Sequence, residues 1–175
     1  ALPYEPRHQA LKEFCVRLAK AWAAFDASGH SLALGHDFQQ TELPKLLEAF
    51  NADSPAGEPM PLLAALVSCS LFDIALHDAL GQAPGRPTYE TYTPEFLSRD
   101  LGQLLEPANG SDVNFTGRFL NEFLAADPLQ TMPAWHLVGG LDPLDESELT
   151  GDEPDDGYPV LLAAWIRIDG LTCLK

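Results

Sequence analysis

Apolar side chains recur at Leu11, Phe14, Cys15, Leu18, Trp22 and Phe25, in steps of three and four. That spacing predicts an amphipathic helix over residues 8–25, with Lys12, Glu13, Arg17 and Lys20 largely on its other face and Ser28-Gly29 ending it. Thr41 has the chemistry of an N-cap for a second helix near 42–50, with Pro44 tolerated in the first turn. Three prolines and a glycine between Asn51 and Pro61 predict a loop. Residues 61–80 are apolar almost all round, the pattern of a helix buried on most sides. Gly81 is placed to cap it, and Gln82 to Pro87 make a turn-rich exit.

Two shorter helices are predicted over 94–106 and 116–126, separated by the loop Pro107 to Ser111. Met132-Pro-Ala-Trp-His-Leu-Val138, closed by Gly139-Gly140, has the composition of a buried strand. An acidic, turn-rich stretch covers 141–157. Tyr158 to Ile168 reads as helix, Gly170 ends it, and Leu171 to Leu174 begins a second buried strand. Strand, loop, helix, strand is a βαβ unit, and its strands should be parallel neighbours.

Composition narrows the functional classes. The 175 residues carry 26 Asp and Glu against 10 Lys and Arg, a formal net charge of -16. Nucleic-acid surfaces need clustered Lys and Arg to replace counterions, so no nucleic-acid partner is expected. Anionic lipid is disfavoured for the same reason. The longest apolar stretch, Pro61 to Leu80, is interrupted by Asp73, His77 and Asp78, so no membrane span is expected. No signal peptide is visible, and a cytoplasmic location is expected. Cys15, Cys69 and Cys173 lack the close spacing of a disulfide framework or a zinc site, and all three read as buried reduced thiols.

Candidate chemistry is sparse. Eight carboxylates lie between Asp142 and Asp156, but Asp142, Asp145, Glu146, Glu148 and Asp152 do not follow calcium-loop spacing, and a solvated loop is expected. Asp73 and His77, one turn apart, could pair, although no nucleophile signature accompanies them, and a helix-packing hydrogen bond is expected. His36 and His136 are single histidines. Gly139-Gly140 reads as a turn. Lys175 follows a βα unit at the end of a strand. A lysine desolvated there would have a lowered pKa and could act as a base.

The segment from Ser70 to Glu90 resembles the enolase superfamily. In its mandelate racemase and muconate lactonizing branch, a cap-domain helix reads roughly A-x-D-x-A-L-W-D-x-x-G-K-x-x-G-x-P-x-Y-x-L. Asp73, Ala75, Leu76, Asp78, Gly81, Gly85, Pro87 and Tyr89 fall in register. His77 stands where Trp is usual, and Thr91-Tyr92 where Leu-Leu-Gly-Gly is usual. Gly35-His36-Asp37, within Leu32 to Phe50, looks like the G-x-D stretch that precedes this helix. Gly170-Leu-Thr-Cys-Leu-Lys175 looks like the approach to the family's Lys-x-Lys motif on the second barrel strand, with Lys175 as the first lysine.

The resemblance implies an α+β capping domain, here its helical part, followed by the first βαβ unit of a TIM-like (β/α)7β barrel. Residues 1–130 would be a partial cap with an atypical insertion at 93–130, and residues 131–175 the start of the barrel. The chain as given would be mainly helical and an internal piece of a longer enzyme. The implied parent is a Mg2+-dependent lyase or isomerase, an acid-sugar dehydratase or racemase, that abstracts a proton alpha to a carboxylate. Such protons are very weakly acidic, so a poised base and a divalent cation are both needed. Lys175 is the one implied catalytic residue. The Mg2+ ligands would lie on later strands beyond this chain. The implied partner is a small carboxylate or acid-sugar substrate, and the full-length form should be a homo-oligomer. The alternative is a stand-alone, mainly helical binding or regulatory module without catalysis. A third reading, an acidic metal buffer, would need Ca2+ binding by 142–156.

Overall fold

The computed structural model describes residues 3–53 and 58–175. They form a mainly helical protein with one small parallel sheet. The chain divides into two compact units, Ala1–Leu124 and Ala125–Lys175, against a division at 130/131 expected from sequence.

Four helices build the first unit: α1 (Tyr4–Ala24), α2 (Ser31–Thr41), α3 (Leu43–Asp53) and α4 (Leu62–Gln82). The apolar stripe of α1 delivers Phe14 and Leu18 to the core, where they are fully buried with Phe38 of α2, Leu43 and Phe50 of α3, and Ala65 and Cys69 of α4. Aromatic packing fixes the geometry. Trp22 stacks on Phe38 at 3.9 Å and 9°, and Phe25 meets both rings edge-on. Phe14 meets Phe50 edge-on at 5.2 Å. The cysteines are free, but only Cys69 is buried; Cys15 and Cys173 are half-buried.

Several expectations change. Thr41 does not cap a helix: it ends α2, and its hydroxyl donates back to the Asp37 carbonyl at 2.8 Å. α2 is itself a separate helix whose cap is His30. Of the loop expected over Asn51–Pro61, Asn51–Asp53 belong to α3, and residues 54–57 lie outside the described residues. The Asn51 side chain both accepts from and donates to the Met60 backbone, joining the end of α3 to the approach of α4. Gly81 is not a cap but a buried residue of α4. A Cβ there would come 2.8 Å from Thr88 Oγ1 and 2.9 Å from the Arg86 carbonyl oxygen, so the absence of a side chain lets the chain fold back.

α4 is also less enclosed than its composition predicts. Ala65, Ser68, Cys69 and Gly81 are buried, while Leu63, Val67, Leu71 and Ile74 each expose more than 60% of their surface. The helix packs on α1, α2 and α3 and on the short 3-10 turn Thr88–Thr91, which use only part of its circumference. By length and composition α4 could cross a membrane.

Residues 93–124 contain no α-helix, against the two expected over 94–106 and 116–126; they form 3-10 turns at Leu101–Gln103 and Leu120–Phe123. The backbone donors explain why. Leu101 N–H goes to the Arg118 carbonyl, and Asn121 N–H to the Tyr92 carbonyl, so the segments bond to each other and to the preceding turn rather than along a helix. Gly102 lies close against the Thr116 backbone, and Asp100 accepts from the Gln103 and Gly117 amides. Leu97 and Leu101 are buried by this arrangement.

The second unit holds β1 (Trp135–His136), α5 (Leu162–Asp169) and β2 (Cys173–Leu174). β1 and β2 pair in parallel, Trp135 opposite Cys173 and His136 opposite Leu174. The βαβ reading therefore holds for connectivity and direction. The strands are short, however, and not buried: Trp135 and Leu137 each expose about two thirds of their surface. Gly170 ends α5 in the left-handed region, φ 64°, which a residue without Cβ adopts at no steric cost.

Candidate functional site

Lys175 follows β2 directly. Its N–H donates to the His136 carbonyl at 3.0 Å, and its carbonyl accepts from Val138 N–H at 2.9 Å. The ladder thus continues to Lys175, and because the strands run in parallel it lies at the C-terminal edge of both. In (β/α)8 barrels that edge carries the catalytic side chains. Lys175 is exposed.

Beside β1 a groove of about 700 Å3 is lined by His136, Leu137, Asp142, Asp156, Tyr158 and Trp165, among others; Lys175 is not one of them. Trp165 stacks on Tyr158 and tilts against His136, so His136 serves as packing for α5. The acidic stretch organises itself. Asp142 accepts from Gly139 N–H, Glu148 from Leu144 N–H, Asp145 from Ser147, Glu153 from the Thr150 and Gly151 amides, and Asp156 from Tyr158 N–H. Hydrogen bonds from Ser147 hold Asp145 below the usual carboxylate range, and the Thr150 amide does the same for Glu153. These carboxylates cap the turns of their own exposed loop, and Gly139-Gly140 is part of one such turn. Among the described residues no three His, Cys, Asp or Glu side chains are grouped to hold a metal ion.

The first unit holds a denser polar cluster. His77 of α4 lies with Nε2 3.9 Å from Asp73 Oδ2 and with Nδ1 3.0 Å from the Tyr92 hydroxyl. The pair expected from the one-turn spacing is therefore a loose contact, and the close partner is Tyr92. His30, preceding α2, reaches Thr91, and its ring lies 6.3 Å from His77 and 5.7 Å from Tyr92. Burial pushes the Tyr92 phenol above its usual range. The Asp73 carboxylate fills the space where a Cβ on Gly35 would stand, and so lets α2 and α4 approach closely.

Sequence reasoning missed three features. The Asp37 carboxylate forms a two-pronged ion pair with Arg99, at 2.6 and 2.7 Å, while His36 lies farther away at 3.5 Å. The Arg99 hydrogen bonds hold Asp37 below the usual carboxylate range. His30 is a helix cap, legible only as a polar residue between Gly29 and the apolar run of α2. The third concerns Thr91-Tyr92, a departure from the enolase-type pattern: Tyr92 is the partner of another departure, His77. The chain matches no protein-family model, no curated protein and no solved structure.

Proposed function

We propose that this chain supplies the helical cap and the first barrel strands of a Mg2+-dependent enolase-superfamily enzyme, of the acid-sugar dehydratase or racemase type. The observation that supports this best is the parallel β1–α5–β2 unit with Lys175 paired at its C-terminal edge. A parallel pair needs a crossover, and α5 provides it. In this reading Lys175 would meet a small carboxylate substrate. Its ammonium would bind the carboxylate or tune a second lysine two residues on, the base that removes the alpha proton. In this reading residues 93–130 are an insertion in the cap. α4 is a bundle helix rather than a membrane span, since Ser68, Asp73 and His77 lie among the polar and core residues of the bundle. The protein acts in the cytoplasm as a homo-oligomer.

The coding sequence after Lys175 tests the proposal. Continuation as x-Lys, followed by spaced acidic strand ends, is expected. The product of that full reading frame should exchange the alpha proton of a sugar acid for deuterium only with Mg2+ present. A stop codon directly after Lys175 would overturn the enzyme reading in favour of a free-standing helical module.

A further inference from the structure

We propose that His30 is an acid-released latch, holding the start of α2 to the 88–92 turn at neutral pH and letting it go as the solution is acidified. Such a latch would operate whichever reaction the protein takes part in.

The hydrogen bonds of the ring admit one protonation state. His30 is 3% exposed. Its Nδ1 accepts the Leu32 N–H at 3.1 Å, so that nitrogen carries no proton. The proton of the neutral ring is therefore on Nε2, which lies 3.1 Å from both the carbonyl oxygen and Oγ1 of Thr91. The Thr91 hydroxyl donates to the Thr88 carbonyl at 2.6 Å, leaving its oxygen free to accept from the ring. Both ring nitrogens are satisfied in this tautomer and no other.

A second proton must enter at Nδ1, where it meets the Leu32 N–H, donor against donor. The cap is lost, and the ring has to turn or leave. The surroundings offer an imidazolium little compensation. From α4 the facing group is His77, a second base, and the carboxylate of the cluster, Asp73, lies against His77. From the turn come Thr91 and Tyr92, both uncharged at neutral pH. On α2 itself the first titratable groups are His36 and Asp37, nearly two turns on, and Asp37 is held by Arg99. Burial, opposed by the Thr91 carbonyl and reinforced by His77, holds His30 below the ordinary histidine range. Because the folded chain binds this proton more weakly than the unfolded chain, the latch contributes fully above about pH 6.5. It is lost progressively as pH falls below that value toward the lowered folded one.

The test is amide exchange and ring NMR on the 175-residue chain. Ring 15N shifts at pH 7.5 should show His30 with its proton on Nε2 only. Between pH 7.5 and 5.5, protection at Leu32, corrected for the intrinsic pH effect, should fall severalfold, with about tenfold as the ceiling for one proton, while amides in the middle of α1 and α3 keep theirs. The variant His30→Asn caps without titrating, and it should flatten that pH dependence. Should His30→Asn not fold, the wild-type data decide alone. Unchanged protection at Leu32 down to pH 5, a proton on Nδ1 at pH 7.5, or a folded His30→Asn with undiminished pH dependence would each overturn the proposal.

Discussion

The Tyr92 hydroxyl lies 3.0 Å from Nδ1 of His77, joining the 88–92 turn to α4 across fifteen residues of chain. Both positions depart from the enolase-type pattern in the same stretch of sequence, and the two departures are each other's partners. A half-buried neutral hydrogen bond contributes about 1 kcal/mol. A double-mutant cycle of Tyr92→Phe and His77→Leu, read by urea denaturation, should give a coupling of about that size. Coupling indistinguishable from zero would mean that the contact contributes nothing to stability.

The Asp37–Arg99 pair should show itself in the pH dependence of stability. Arg99 holds the Asp37 pKa below its unfolded value. The sign follows: its contribution is complete above about pH 4 and fades as pH falls through the lower folded value. About a third of each side chain is exposed, and solvent screening limits the pair to about 1 kcal/mol. Arg99→Ala should cost that much at pH 7, and the gap to the parent should narrow below pH 4. Arg99→Lys should recover only part of it, because a single ammonium cannot reproduce the two-pronged contact.

Gly81→Ala should lower stability. At an ordinary helical site that change is worth about 1 kcal/mol in the other direction. Here the new Cβ would stand 2.8 Å from Thr88 Oγ1 and 2.9 Å from a backbone carbonyl that cannot swing aside. A loss of roughly 1–3 kcal/mol is expected, measured as a lower denaturation midpoint with an unchanged m-value. A rise in the midpoint would show that the chain beyond α4 relaxes freely.

The purified 175-residue chain should show no Mg2+-dependent dehydration or racemisation of sugar acids. On the proposed reading the Mg2+ ligands lie on later barrel strands, and an enediolate is not stabilised without the cation they would hold. Turnover that disappears with EDTA would contradict this.

The elements legible in the sequence were those with one dominant periodicity or one strong stop. The Leu11–Trp22 stripe marks α1, and Gly170 marks the end of α5. Between residues 31 and 53 the pattern predicts the helix near 42–50, which is α3, and misses α2, whose cap is a histidine rather than Ser, Thr, Asp or Asn. Residues 93–124 carry enough Leu and Phe to look helical, but their amides are committed across the chain, as Leu101 to Arg118 shows. Such pairings depend on partners many positions away and leave no local periodicity. The long-range polar contacts of the first unit were hidden for the same reason. Neither His30 nor Arg99 has a neighbour in sequence that hints at its partner. The burial of α4 was overestimated because uniform apolarity says how much of a helix could be covered, not how many neighbours arrive to cover it.

His30 meets Thr91 across 61 residues, and Asp37 meets Arg99 across 62. Closing either loop alone carries the entropic penalty of a long loop. Once one has closed, the other partners are separated by only seven residues on one side and eight on the other. By loop-length scaling the second closure is then easier by roughly 1 kcal/mol. The two contacts should therefore form nearly together and late in folding. The segment around Arg99 would join the bundle in one kinetic step rather than by gradual accretion.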